Sequence, residues 1–172
     1  VIRILLAILV GLFAWSSVPF EAEFRTVAGP RWIDRAAQVK AESLFRADIT
    51  APDGGMGLAQ FMPKTWSWAK AQGWVPADAS AYNPHWAITG QHAYMTWLEV
   101  RTEGRLNPAL GAYNAGLGSV RKAQRLAEQL GLAGRDAWLE ALPRVTGPRN
   151  GAITRAYIAR NRKYRIEMGS RS

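Results

Sequence analysis

A chain of 172 residues with 48% hydrophobic and 20% charged side chains is long enough for one packed domain and too apolar to stay disordered. The absence of cysteine excludes a disulfide framework, a thiolate metal site, a thiol nucleophile and a lipid-modified cysteine. A formal charge of +9, from 22 Lys and Arg against 13 Asp and Glu, favours an anionic partner such as nucleic acid, a membrane surface or an acidic polymer, and the eight tryptophans offer flat apolar faces for a core or for sugar rings.

Residues 1–20 differ in kind from the rest. Arg3 is their only charge, residues 4–15 are unbroken apolar, and Ser16, Ser17, Val18, Pro19 and Phe20 follow. A positive start and a short apolar run match an export signal. A spanning helix needs roughly 20 apolar residues, so an uncleaved membrane anchor is the close rival. Either reading puts the remainder outside the cytoplasm, in the periplasm or cell envelope. Residues 21–32 read as a linker with Gly29-Pro30 as breaker, residues 33–168 as one domain, and residues 169–172 as a tail.

Within the domain, Asp34 is placed to cap a helix running to about residue 45, with Ile33, Ala37, Ala41 and Leu44 as its apolar stripe. A loop over 46–57 ends in Gly54-Gly55-Met56-Gly57. Pro63 suits the first position of a helix to about residue 72, and 73–84 is rich in turn residues. The pattern over 85–105 is apolar on more than one face, which predicts a deeply packed helix stopped by Gly104. Asn107-Pro108 opens a short helix through Tyr113. An amphipathic helix spans 117–130, a shorter one 136–142, then a loop over 143–151 and a last helix over 152–165. No period-two pattern points to a strand, so the expected class is predominantly α-helical with little or no sheet.

Few residues invite chemistry. Glu42 stands on the first of these helices with Gln38, Val39, Phe45 and Arg46 as its neighbours at three and four positions. Apolar neighbours would desolvate the carboxylate and raise its pKa, making it a proton donor. Composition alone favours reading it as a solvated helix residue. The glycines at 54, 55 and 57 permit close backbone approach; no Gly-Lys-Ser/Thr ending follows them, which excludes a phosphate loop. Gln60 lies at a loop-to-helix junction suited to bonding a substrate amide. Tyr113-Asn114 precedes Gly116, which reads both as a helix stop and as the edge of a cleft. His85 and His92 lack metal-ligand spacing and read as structural. The basic stretch 155–171 contains no nucleic-acid motif and reads as a solvated or polymer-binding face.

Four stretches in order resemble one family, the lytic transglycosylases with a soluble-lytic-transglycosylase-type domain (glycoside hydrolase family 23, relatives of goose-type lysozyme). Glu42-Ser43-Leu44-Phe45 is similar to its Glu-Ser-x-Phe, and Gly57-Leu58-Ala59-Gln60-Phe61-Met62-Pro63-Lys64-Thr65 to its Gly-Leu-x-Gln-x-Met-Pro-x-Thr. Ala112-Tyr113-Asn114-Ala115-Gly116 and Thr154-Arg155-Ala156-Tyr157 match two later motifs. The resemblance implies a single lysozyme-like domain that cleaves the β-1,4 bond between N-acetylmuramic acid and N-acetylglucosamine in peptidoglycan. Glu42 would be the only catalytic carboxylate, first acid and then base, giving a 1,6-anhydromuramoyl end. Ser43, Gln60, Met62, Tyr113 and Asn114 would line the sugar subsites, and Tyr157 would sit near Glu42. No metal or cofactor is implied. The partners implied are glycan strands, a membrane contacted through residues 1–20 and cell-envelope machinery, with no nucleic acid. Two other outcomes fit the same motifs: a lysozyme-like muramidase using Asp48 or Asp53 to hold a water, and a vestigial wall-binding component of a phage or secretion machine. The chain departs from the family at Ile153, where an acidic residue is usual, at Arg46-Ala47, where Asn-Pro is common, and at Ala51, where serine is frequent.

Overall fold

The computed structural model describes residues 18–170. Among them run eight α-helices: α1 (Glu21–Ala28), α2 (Trp32–Ser43), α3 (Pro63–Ala71), α4 (Pro84–Arg101), α5 (Leu106–Ala115), α6 (Leu117–Gln129), α7 (Trp138–Thr146) and α8 (Pro148–Gly169), with a 3-10 turn, Gly29–Arg31, joining the first two. The described residues form no sheet, only two isolated antiparallel bridges, Thr50 with Met56 and Met56 with Phe61. The predominantly helical class read from the sequence is the one adopted. Of the segment read as an export signal or anchor, residues 1–17 lie outside the described part. No helix among the described residues is long and apolar enough to cross a membrane.

The long helix α8 organises the packing. α2 lies along it, α7 packs on both α6 and α8, and α5 touches α4, α6 and α8. One core gathers Met95 and Leu98 of α4, Leu110 of α5, Val120 of α6, Trp138 and Leu142 of α7, and Tyr157 of α8. A second joins Phe24, Trp32, Val39, Leu58 and Ile88, and a third lies under the loop before α3, with Phe61, Trp66 and Val75. Each fully buried side chain of this size contributes about 1.5–3 kcal/mol through removal of apolar surface from water.

Four expectations are not met, each for a physical reason. Residues 21–32, read as a linker, carry α1. Phe24 and Ala28 sit one turn apart, so both enter the second core, and Glu21 and Glu23 occupy the first turn where the helix dipole favours them. The second helix stops at Ser43, short of residue 45, because Leu44 (φ 54°) and Phe45 (φ 63°) both turn left-handed. Asp34 is not a cap. It sits inside the first turn, ion-paired with Arg165 at 2.7 Å and Arg31 at 3.2 Å. The loop expected over 143–151 is mostly helix: α7 continues through Pro143 to Thr146, Gly147 (φ 86°) makes the turn, and Pro148 starts α8. Gly151 makes the corner compact, since a Cβ there would lie 2.7 Å from Pro143 Cγ.

A buried ion-pair group ties α2 to α4. Arg35, 1% exposed, grips Glu99 with Nη1–Oε1 at 2.9 Å and Nη2–Oε2 at 3.0 Å, while Arg31 Nη2 reaches Oε1 at 2.5 Å. Burial pushes the Glu99 carboxyl up, but the two guanidinium groups outweigh it and hold its pKa below the ordinary carboxylate value.

Candidate active site

Glu42 is the penultimate residue of α2, at the point where the chain leaves the helix. Its Oε1 accepts a hydrogen bond from the Tyr157 hydroxyl at 2.6 Å, across the seam between α2 and α8. Burial drives the Glu42 pKa from 4.5 to about 7, outweighing the Tyr157 hydrogen bond and the Arg160 charge, which favour the ionised form; the negative charge of Asp53 adds to the rise. Of the two apolar neighbours that helical spacing gave Glu42, only Val39 stays on its helix. Val39 is buried in the second core, and the left-handed turn carries Phe45 off the helix to an edge contact with Phe24 at 6.4 Å. Tyr157 of α8 closes on the carboxyl from the far side of the seam. Arg46 turns back to donate Nε to the Ser43 carbonyl at 3.0 Å, capping the helix end, and the cation whose charge reaches Glu42 is Arg160.

The loop after α2 is tied to itself. Gly57 N donates to Ile49 O at 2.8 Å, and Met56 and Phe61 exchange backbone bonds at 3.0 and 3.2 Å. Gly57 is required twice over: its φ is 62°, and a Cβ would lie 2.3 Å from the Ala81 carbonyl oxygen. Gln60 is also left-handed, φ 50°, and its Nε2 donates to Gly57 O at 2.8 Å, so this amide closes the loop. Met62, exposed and extended, immediately precedes α3.

Tyr113 of α5 donates its hydroxyl to Ala59 O at 2.7 Å, locking the loop to the helix core. Burial raises its pKa well above the usual phenol value, and the Glu42 charge raises it further, which puts Tyr113 in the electrostatic reach of the carboxylate. Asn114 follows it at the exposed edge, with its Oδ1 bonded to the buried Thr154 hydroxyl of α8 at 2.8 Å. Ser43 is buried, and its hydroxyl donates to Val39 O at 3.3 Å, within its own helix.

Four separate stretches therefore meet around one protonatable carboxyl. Glu42, Tyr157 and Tyr113 form its centre, and Gln60 helps to hold the loop beside it. The histidines are elsewhere: His85 pairs with Glu23 of α1, and His92 accepts from Arg35 Nε at 3.3 Å. Ile153 is 47% exposed on α8. Three contributors were not singled out from sequence. Thr154 lies one helical turn before Tyr157 and Gln38 one turn before Glu42, so i, i+3 and i, i+4 spacing could have flagged both. Arg160 lies one turn after Tyr157, so the same i, i+3 spacing could have flagged it too.

Comparison with known proteins covers the first part of this site, from Glu42 to Asn114. The family described as "Transglycosylase SLT domain" matches residues 36–132. Membrane-bound lytic murein transglycosylase F of Maricaulis maris is 33% identical over 78% of this chain and 32% of its own. That of Pseudomonas fluorescens is 29% identical over 82% of this chain and 30% of its own. The chain thus spans about a third of the length of these relatives. The 70 kDa soluble lytic transglycosylase of Escherichia coli superposes with a TM-score of 0.71 at 22% identity, over 87% of this chain and 24% of that one. An inactive Glu-to-Gln mutant of lytic transglycosylase Slt from Pseudomonas aeruginosa gives 0.73 at 23% identity, over 92% and 26%. At these identities the likeness establishes the fold.

Proposed function

The chain belongs to the transglycosylase SLT domain family, and from that membership we propose that it is a peptidoglycan lytic transglycosylase in which Glu42 acts first as acid and then as base. The observation that carries this is the Glu42 carboxyl, half-buried in the helix seam, bonded to Tyr157 at 2.6 Å and with its pKa raised to about 7. At neutral pH a large share of molecules hold the proton that the first step needs.

In the first step Glu42 gives its proton to the glycosidic oxygen as the C1–O bond of N-acetylmuramic acid breaks. The carboxylate so formed then takes the proton of the C6 hydroxyl, and that oxygen closes on C1 as a 1,6-anhydro ring. The proton count closes on Glu42 and no water is consumed, so no second carboxylate is demanded of the site. Tyr157 and Arg160 stabilise the ionised form between the two steps. Gln60, Met62, Tyr113 and Asn114 are the proposed sugar contacts, and buried Ser43 supports the helix end behind Glu42. The relatives are named as membrane-bound murein enzymes, and we place this chain's substrate in the same cell wall, with residues 1–20 as its export signal or tether.

One observation favours a second outcome on the same fold. Asp53 is near enough for its charge to act on Glu42, and a carboxylate there could activate a water, making the enzyme a muramidase. Mass spectrometry of fragments from purified peptidoglycan separates the two: anhydromuramoyl ends support the transglycosylase, and reducing ends support hydrolysis. Loss of solubilisation in Glu42→Gln is expected in either case; solubilisation that survives the change would overturn the assignment of Glu42, and a parent protein that binds the wall without solubilising it would favour the vestigial wall-binding reading.

A further inference from the structure

Thr154 and Tyr157 leave α8 one turn apart, about 4.5 Å along the helix axis, and each reaches a different helix. Tyr157 donates to Glu42 Oε1 of α2 at 2.6 Å, and Thr154 donates to Asn114 Oδ1 of α5 at 2.8 Å. Thr154 is 1% exposed, and a buried hydroxyl is costly unless bonded. Its other neighbour is the Asn150 carbonyl oxygen, one turn back on its own helix at 3.1 Å. That contact is the ordinary one for a threonine inside a helix and would satisfy the hydroxyl by itself. The bond to Asn114 is therefore more than burial of Thr154 requires. The hydroxyl has a single proton, and both neighbours are oxygens that only accept, so the nearer one, Asn114 Oδ1, takes it.

Asn114 gains from such a partner. It is the penultimate residue of α5, in the last turn before Gly116, where a helix frays. It is exposed, and among the described residues its side chain makes no other bond. An exposed asparagine amide turns readily about its last torsion and offers oxygen and nitrogen to its surroundings in turn. With Oδ1 held by Thr154, the amide keeps one orientation, and Nδ2 with its two N–H groups is the end left open. We propose that Thr154 is a positioning residue: α8 acts as a ruler that sets the Asn114 Nδ2, as donor to a sugar oxygen, one helical turn from the bond that holds Glu42. The sugar atom it meets is an acceptor, a hydroxyl or an acetamido carbonyl oxygen. This deepens the reading of Asn114 as a sugar contact beside the acid and rests on it. Thr154 itself touches no substrate, so it acts only through Asn114.

The test is kcat and KM on purified peptidoglycan for Thr154→Val, Thr154→Ser, Asn114→Ala and the Thr154→Val, Asn114→Ala pair, with the Glu42 midpoint followed by carbon-detected NMR. Valine keeps the shape of threonine and removes the hydroxyl; serine keeps the hydroxyl and removes the methyl. Thr154→Val is expected to raise KM about 3- to 10-fold, the worth of one neutral hydrogen bond, and to change kcat less. Thr154→Ser is expected to keep KM near the parent value. The pair should be no worse than Asn114→Ala alone, as required of a residue that acts through one partner. A merely structural role would loosen α8 as a whole, shift the Glu42 midpoint through Tyr157 and add its effect to that of Asn114→Ala. An unchanged KM in Thr154→Val, a full sum in the pair or a shifted Glu42 midpoint overturns the proposal. Should Thr154→Val not fold, soluble glycan strands added to Glu42→Gln must shift the Asn114 side-chain NH2 signals, and unmoved signals overturn it. An inactive Glu42→Gln with an unchanged KM in Thr154→Val sinks the positioning role alone. An active Glu42→Gln sinks the catalytic reading, while the KM comparison still judges whether Thr154 acts through Asn114.

Discussion

Glu42 and Glu99 are both glutamates held in helix seams, and their pKa values move in opposite directions. Burial is the largest influence on each. At Glu99 two guanidinium groups make direct contacts of 2.5–3.0 Å, and the carboxyl is held ionised. At Glu42 the direct partner is a neutral phenol, and the one cation that acts on it, Arg160, does so by charge rather than by a hydrogen bond. Burial alone does not decide protonation; what decides is whether a full positive charge sits in hydrogen-bond contact. One seam is built to hold α2 against α4, and the other to keep a proton available.

That contrast can be broken or sharpened experimentally. The largest effect is expected for Glu42→Gln, which should lower peptidoglycan solubilisation by about 10³-fold, the contribution typical of a positioned general acid; turbidity clearing by the folded variant reads it. Next is Arg35→Met, which strips Glu99 of its bidentate partner and should destabilise the fold by about 3–5 kcal/mol in urea unfolding, as expected when one member of a buried pair is removed. The pH dependence carries the sign. Glu99 has a depressed pKa, so its stabilisation is present above the ordinary value of 4.5 and is lost as pH falls through the depressed one. Arg35→Met should accordingly flatten the acid side of the stability profile.

A smaller effect, opposite in sign, is expected for the stability of Glu42→Gln. A carboxyl raised from 4.5 to about 7 favours folding below 4.5 and loses that advantage as pH rises through 7. The amide removes this penalty, so Glu42→Gln should be more stable than the parent at pH 8, by on the order of 1–3 kcal/mol, and equal to it near pH 4. The smallest is Tyr157→Phe. It removes a bond that favours ionised Glu42, so the alkaline limb of activity should move to higher pH while the rate falls about tenfold.

The sequence carried the catalytic face further than the scaffold. The motifs at Glu42, Gln60, Tyr113 and Tyr157 come from four segments, and the fold brings the two tyrosines to the glutamate. Helices α3 to α6 lie close to where apolar periodicity put them. The misses share a cause: they depend on contacts between segments. Nothing local marks α1 as packed except Phe24 and Ala28, and α1 holds because Phe24 finds a place in the second core. Pro143 reads as a breaker until Gly151 is seen to make room for it. The Glu42 pKa was argued from Val39 and Phe45 on its own helix, yet Leu44 and Phe45 turn left-handed out of it, and the partner that reaches the carboxyl is Tyr157 from across the seam.

The most direct measurement is the titration of the Glu42 side-chain carboxyl in the unliganded protein by carbon-detected NMR, assigned by its disappearance in Glu42→Gln. The account predicts a midpoint near 7, with Glu99 in the same spectra titrating below the ordinary carboxylate value. A Glu42 midpoint at the ordinary 4.5 would contradict it, because the carboxyl would then reach neutral pH without the proton that the proposed first step transfers.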